Sequence, residues 1–298
     1  MDKEIPIINL DSVQPKKFGF RIGFNREILL RNDLDHDPFR PHRIRFYSVL
    51  FILEGEGVHY IDFKKYRYKP GSIIFISKEQ VHAFEYNLYR RAYFLLFTEE
   101  FLERGNPTSS LMQQLSLYNY HLFPPVIHLK REEIARFASL ANEMKKEFDA
   151  PDDQLTEEIL HASLKIFLCQ AERIRKINRA DKVGQSKYHE EFAQFQKLLS
   201  QEVLQSKKVQ YYADALFMST KKLNRITQEV LGKGAKSYID EVLIIEIKRL
   251  LMNTSYTIKE IAYASGFEET TNFVKFFRKH TEMNPGEFRK QYAKQILE

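Results

Sequence analysis

Residues 257 to 289 read TIKEIAYASGFEETTNFVKFFRKHTEMNPGEFR, the pattern of a short helix, a tight turn and a longer helix. Ile258, Ile261 and Ala262 fall at i, i+3 and i+4, one buried helical stripe. Gly266 can take φ > 0 at no steric cost, so it can end the first helix and turn the chain. Phe267 then points back into the core. Glu269, Thr270 or Thr271 can cap the second helix. Phe273, Phe276 and Phe277 hold that helix down and leave Asn272, Lys275, Arg278 and Lys279 outside. Pro285 stops it, because proline cannot continue a helix and disfavours helical geometry at Asn284. A tight turn followed by a helix with an amide-bearing and basic outer face is a helix-turn-helix pattern. The chemistry of that face points to DNA.

The same plan recurs upstream in VQYYADALFMSTKKLNRITQEVLGKG, residues 209 to 234. Tyr212, Ala213 and Leu216 form the stripe of its first helix. Ser219 is a good N-cap for the second, which buries Leu223, Ile226 and Val230. Lys221, Lys222, Asn224, Arg225 and Gln228 stay outside, and Gly232 and Gly234 end the helix. Between the units, residues 235 to 252 keep an apolar helical period with no breaker. Their Tyr238, Ile239, Val242, Leu243, Ile247 and Leu251 suit a helix buried on two sides. The sequence thus predicts an all-α double helix-turn-helix domain over residues 188 to 298. Asn224 and Arg225 in the first unit, with Asn272 and Lys275 in the second, have the chemistry for base edges: Asn for adenine, Arg or Lys for guanine. Lys221, Lys222, Arg278 and Lys279 suit phosphates, and Thr220, Thr270 and Thr271 can donate to phosphates from helix N-termini. Ser219, Gln228 and Glu269 complete the predicted DNA-binding set.

The first hundred residues have a different period. Short runs rich in β-branched and aromatic residues predict seven strands, at 18–22, 28–30, 45–53, 58–63, 72–76, 82–86 and 91–97. Glu54-Gly55-Glu56-Gly57 and Pro70-Gly71 supply turns between them. That spacing suggests a sandwich or small barrel with room for one small ligand at its mouth. Alternation puts Tyr47, Val49 and Phe51 on one face, Val58, Tyr60 and Asp62 on one face, and His82, Phe84 and Tyr86 on one face. Arg45, Tyr47, Tyr60 and His82 are the candidate effector contacts. A break at Gly105-Asn106-Pro107 and a last strand over 126–129 follow. Residues 131 to 178 then read as an antiparallel helix pair. The second helix carries more apolar positions than one stripe needs, which suits a dimer interface as well as a core. Residues 179 to 187 are polar and form the expected interdomain linker. The division is therefore 1–130, 131–178, 179–187 and 188–298.

Composition narrows the classes. Across 298 residues, 43% hydrophobic and 29% charged content is that of a globular protein with a sizeable core. The net charge of +6 is compatible with nucleic acid, and its larger part falls after residue 187. One cysteine, Cys169, excludes a disulfide within the chain and a Cys-based metal site, and its apolar helical context reads as a buried position. No signal-like segment opens the sequence and no run reaches membrane-spanning length, so a cytoplasmic location with no membrane partner is expected.

The run Ile258-Lys259-Glu260-Ile261-Ala262, Gly266-Phe267, Phe273, Phe276-Phe277-Arg278-Lys279 and the closing Pro285, Phe288 and Arg289 resemble the AraC/XylS family of bacterial transcription regulators. In the first unit Ala213, Leu216, Ser219, Leu223, Gly234 and Tyr238-Ile239 match more loosely. Val242 and Ile247 in the central helix and Glu282 before the closing proline depart from the family pattern. The N-terminal GEG and PG turns with His82 resemble the cupin-like barrel of such regulators. The resemblance implies an α+β multidomain chain: a cupin-like β-barrel, a helical dimerisation segment and a double helix-turn-helix domain. It implies double-stranded promoter DNA, a second copy of the chain, a small-molecule effector and, for an activator, RNA polymerase as partners. Metal-binding cupins carry two histidines one residue apart with a glutamate. Here stand His42, a distant His59 and, near His82, Ser77 and Glu79, so no metal and no cofactor is expected. A ligand-independent or protein-controlled regulator, and a cupin-type metalloenzyme fused to a DNA-binding domain, are the competing readings.

Overall fold

The computed structural model describes residues 6–13, 18–29, 37–62, 64–84, 87, 90–104, 111–120, 123–177, 188–254 and 256–295. The expected linker at 179–187 and the break at Gly105-Asn106-Pro107 lie outside them. The chain divides between Asn178 and Arg179 into two compact units.

The first unit contains β1 (Ile7–Ile8), α1 (Leu10–Val13), β2 (Phe20–Phe24), α2 (Asn25–Leu29), β3 (His42–Ile44), β4 (Tyr47–Glu54) and β5 (Gly57–Ile61). It continues through β6 (Lys64–Tyr68), β7 (Ser72–Ile76), β8 (Val81–Phe84), β9 (Arg91–Phe97), α3 (Glu99–Glu103) and α4 (Leu111–Gln114). A 3-10 turn (Ser116–Tyr118), β10 (Val126–His128), α5 (Arg131–Asp149) and α6 (Thr156–Ile177) complete it. The strands form two five-stranded sheets, ordered β1-β3-β8-β5-β6 and β10-β7-β4-β9-β2. Among the described residues no ladder joins them, so the expected barrel is an open two-sheet arrangement.

The second sheet is buried on both faces, which is why Tyr47 to Leu53 is nearly continuously apolar. Its Tyr47, Val49, Phe51, Ile73, Phe75, Tyr93, Leu95 and Phe97 pack against α5 and α6. Phe51 stands between the helices, with ring centroids 6.3 Å from Phe137 and 6.4 Å from Phe167. The opposite face, with Leu50, Ile52, Ile74, Ile76, Phe94 and Leu96, meets Ile44, Ile61 and Tyr68 of the first sheet. The helix pair therefore covers the sheet and shares its core.

Two expectations fail in this unit. Residues 25–29 form helix α2 where a strand was predicted at 28–30. Glu27 accepts from the Phe24 N–H at 3.1 Å, and the Asn25 amide bonds Arg90 O at 3.0 Å and the Ala92 N–H at 2.8 Å. These local side-chain bonds turn the chain away from β2. Cys169 lies exposed on α6, not buried. It belongs to an outward apolar stripe with Ile159 and Ile166, which are 43% and 47% exposed.

The second unit is helical: α7 (His189–Glu202), α8 (Val209–Ala215), α9 (Thr220–Leu231), α10 (Ala235–Asn253), α11 (Ile258–Ala264), α12 (Thr270–Thr281) and α13 (Pro285–Gln295). Helix α10 is the axis. It buries Tyr238, Ile239, Val242, Leu243, Ile247 and Leu251, and it packs against α7, α8, α9, α11 and α13. Phe192 and Phe195 of α7 close one side of it, with centroids 5.8 and 6.0 Å from the Tyr238 ring.

Candidate nucleic-acid interface

The two helix-turn-helix units repeat each other bond by bond. In the first, the Met218 N–H returns to Ala213 O at 2.9 Å, and in the second the Phe267 N–H returns to Ala262 O at 3.0 Å. Each turn passes through a left-handed residue, Phe217 at φ 53 and Gly266 at φ 70. Glycine is required at 266 for a second reason: a Cβ there would stand 3.0 Å from Leu204 O. Each long helix also ends left-handed, at Gly232 with φ 72 and at Glu282 with φ 61. Glu282, the departure noted in the sequence, thus holds a conformation that glycine adopts without strain.

The units are fastened to opposite ends of α10. At its start, the Ala235 N–H donates to Asn224 Oδ1 at 3.0 Å, a cap supplied by α9. At its end, Arg289 donates from Nε to Leu251 O at 2.8 Å and from Nη2 to Tyr256 O at 2.7 Å. Helix termini leave such groups unsatisfied, so both bonds stabilise the axis while tying a unit to it. Ser219 caps α9 by accepting from the Lys222 N–H at 3.1 Å. Thr257 and Glu260 form a capping box on α11, whose backbone and hydroxyl donors hold the Glu260 carboxyl below its usual range.

Every predicted contact residue lies outside the core. Ser219, Lys221, Lys222, Asn224, Arg225, Gln228, Glu269, Thr271, Asn272, Lys275, Arg278 and Lys279 are exposed, and Thr220 and Thr270 are half-buried. The two helices differ in how committed those side chains are. In α9 the Asn224 amide is engaged at both ends, since its Nδ2 also donates to Thr220 O at 3.0 Å. Arg225 donates to the Tyr188 hydroxyl and lies 3.9 Å from Glu229, while Lys222 lies 3.7 Å from Glu191. In α12, Lys275, Arg278 and Lys279 form no ion pair among the described residues. Three participants were not anticipated: Tyr188, Arg289 as a clamp, and the capping role of Asn224. Only Arg289 had a sequence signal, its place in the closing motif.

The four effector candidates do not share one space. Tyr47 is on the helix-facing side of its sheet, stacked at 5.6 Å on Phe97 and edge-on at 4.9 Å to Tyr118. Burial, helped by Glu99, pushes its hydroxyl pKa up. Arg45 is exposed beside Glu79, and Tyr60 is exposed under Lys65. His82 alone points between the two sheets. There its ring meets those of His42 at 4.2 Å and His59 at 5.3 Å. Alternation along β5 runs opposite to the expected one, with His59 and Ile61 inward and Tyr60 outward. Burial first, then Arg90 and His42, hold the His59 pKa well below its usual value. Arg90, wholly buried, lies 5.0 Å from the Phe84 ring and 5.5 Å from Tyr68. It was missed, although Ala92, Phe94 and Leu96 mark the inward side of β9 and the alternation extends back to it. Among the described residues no three His, Cys, Asp or Glu side chains are arranged to hold a metal ion.

Comparison with known proteins accounts for both units. A family described as "Helix-turn-helix domain" matches residues 212–291, and one described as "AraC-like ligand binding domain" matches residues 26–163. The HTH-type transcriptional regulator YijO of Escherichia coli K12 is 34% identical over 86 residues, which span 29% of this chain and 30% of that protein. The HTH-type transcriptional activator RhaS of Salmonella schwarzengrund is 20% identical over 260 residues, 86% of this chain and 89% of RhaS. Among solved structures, ToxT from Vibrio cholerae O395 aligns over 92% of this chain and 98% of its own, at 13% identity and a TM-score of 0.42. With two helix-turn-helix units on one axial helix, following a two-sheet domain in the sequence, the chain belongs to the AraC family of DNA-binding transcription regulators.

Proposed function

We propose that α9 and α12 enter two successive stretches of the major groove on one face of a promoter duplex. Helix α10 holds them about one helical turn apart, roughly 34 Å. The observation that carries this reading is the repeated turn geometry, with one unit tied to each end of α10. In α9, Arg225 and Gln228 reach base edges, and Asn224 holds the axis. In α12, Asn272 and Lys275 do the reading, with Glu269 placed to accept from cytosine. Lys221, Lys222, Arg278 and Lys279 meet phosphates, joined by Ser219, Thr220, Thr270 and Thr271 at the helix N-termini.

The two-sheet domain senses a small-molecule effector. Its match to an AraC-like ligand binding domain and its buried His and Arg side chains support this. The outward stripe of α6 pairs two copies of the chain. The relative RhaS is named a transcriptional activator, which supports activation here and RNA polymerase as a further partner. No helix is long and apolar enough to cross a membrane among the described residues, and a cytoplasmic location is part of the proposal.

Fluorescence anisotropy on duplexes from the chain's own upstream promoter, over a salt series, tests the division of labour. The Arg278→Ala, Lys279→Ala pair is expected to lower the slope of log affinity against log salt by about 1 to 2, leaving sequence preference intact. The Asn272→Ala, Lys275→Ala pair is expected to flatten preference. If neither pair changes slope or preference, α12 is not the reading helix.

A further inference from the structure

We propose that the buried polar cluster between the two sheets binds a small organic carboxylate, its anionic end against Arg90 and His59 and its body against the rings of Phe84 and Tyr68. The proposal rests on the reading of this unit as an effector domain and names the class of effector.

Arg90 carries the argument. Its side chain is 0% exposed, and no acidic side chain pairs with it among the described residues. Nη1 donates to the Tyr68 hydroxyl at 3.3 Å, but Nε and Nη2 have no hydrogen-bond partner among the described residues. A guanidinium does not lose its proton at accessible pH, so this is a buried, uncompensated cation. Proteins rarely retain such a group without a counter-charge. The two idle donors are adjacent on the guanidinium edge, and their parallel N–H bonds match the two oxygens of a carboxylate.

His59 supplies a second, independent sign. It is 0% exposed, and neither ring nitrogen has a partner among the described residues. Its depressed pKa keeps it neutral, so one nitrogen presents an N–H while the other remains an acceptor. Arg90, His59 and His82 all lie against one ring: their centres are 5.0, 5.0 and 5.6 Å from that of Phe84. The walls beyond, Ile44, Ile61 and Phe94, are apolar, which favours an organic body behind the charge. A cleft of about 550 Å³ reaches Tyr68 from the surface, and Arg67 and Lys69 outnumber Glu56 along it. An anion approaching through it arrives at the tyrosine that already holds Arg90.

The test is calorimetric titration and thermal melting of the full chain in the absence of DNA. The probes are butyrate, cyclohexanecarboxylate and benzoate, each against its primary amide, with inorganic phosphate as a further arm. At least one carboxylate is expected to bind, with its amide at least about tenfold weaker, as expected for loss of a charged hydrogen bond. Arg90→Met is expected to weaken that carboxylate at least about tenfold. Without ligand, Arg90→Met is expected to melt at or above wild type, because an uncompensated buried charge has been removed. The proposal is overturned if no carboxylate binds, if only phosphate binds, or if carboxylate and amide bind alike. It is also overturned if Arg90→Met lowers the melting temperature while carboxylate binding is unchanged. A carboxylate that binds without altering promoter affinity leaves the site standing and removes effector control. A neutral compound that alters promoter affinity equally in wild type and Arg90→Met keeps effector control and removes this site.

Discussion

Asn224 lies on the outer side of α9, the reading helix proposed for the first unit, yet both ends of its amide are engaged within the fold. Asn224→Ala should therefore cost about 1 kcal/mol, the usual worth of a helix cap, in a denaturant titration. Asn224→Asp should recover most of that loss: a carboxylate still accepts at a helix N-terminus and is favoured there by the helix dipole, but it cannot donate to Thr220 O. Both variants should retain the wild-type base preference. A changed preference in the Asp variant would return Asn224 to the reading face. Phe217 poses the opposite case, a side chain 99% exposed in a left-handed turn. At that exposure its ring contributes no packing to the fold. Phe217→Gly therefore relieves strain of about 1 kcal/mol at no cost in burial, and the midpoint of unfolding should rise. The outward position of Asn224 was legible from the helical period. Its commitment was not: Asn224 meets Ala235 only because the chain turns back on itself at Gly232, and spacing along one helix does not encode that return.

At the scale of elements, the helical half was the more legible, because its helices announce their apolar stripes and Ser219 announces the cap of α9. The strands were less so. Lys64–Tyr68 forms β6, an edge strand whose outward Lys65 and Arg67 dilute its apolar content, and β3 offers only His42-Arg43-Ile44. Face assignments failed where a strand is buried on both sides: β4 has no polar face, so alternation could not tell the helix-facing Tyr47 from a pocket-facing position. Helix α6 shows what extra apolar content means. Phe167, Leu164 and Leu168 face the sheet, while Ile159, Ile166 and Cys169 face outward. Exposed apolar stripes of this kind mark association surfaces. Ile159→Glu with Ile166→Glu, one face two turns apart, should convert a sedimenting dimer to monomer with the far-ultraviolet circular dichroism of the folded chain unchanged. A double variant that remains dimeric would move the interface elsewhere.

For the whole molecule, the order of parts follows from which surfaces each part leaves over. The two-sheet unit encloses buried polar groups between its sheets and shows an apolar stripe on α6. The helical unit spends its apolar surface on α10 and leaves two polar, cation-rich helices outside. Two such helices on one axis should read two short blocks of sequence, each block belonging to one helix. Selection of bound sequences from random DNA, repeated with variants, measures this most directly. Two conserved blocks centred about 10 base pairs apart are expected. Arg225→Ala with Gln228→Ala should erase only one, and Asn272→Ala with Lys275→Ala only the other. A single block, or two blocks that both vanish with either pair of substitutions, would contradict this division between the helices.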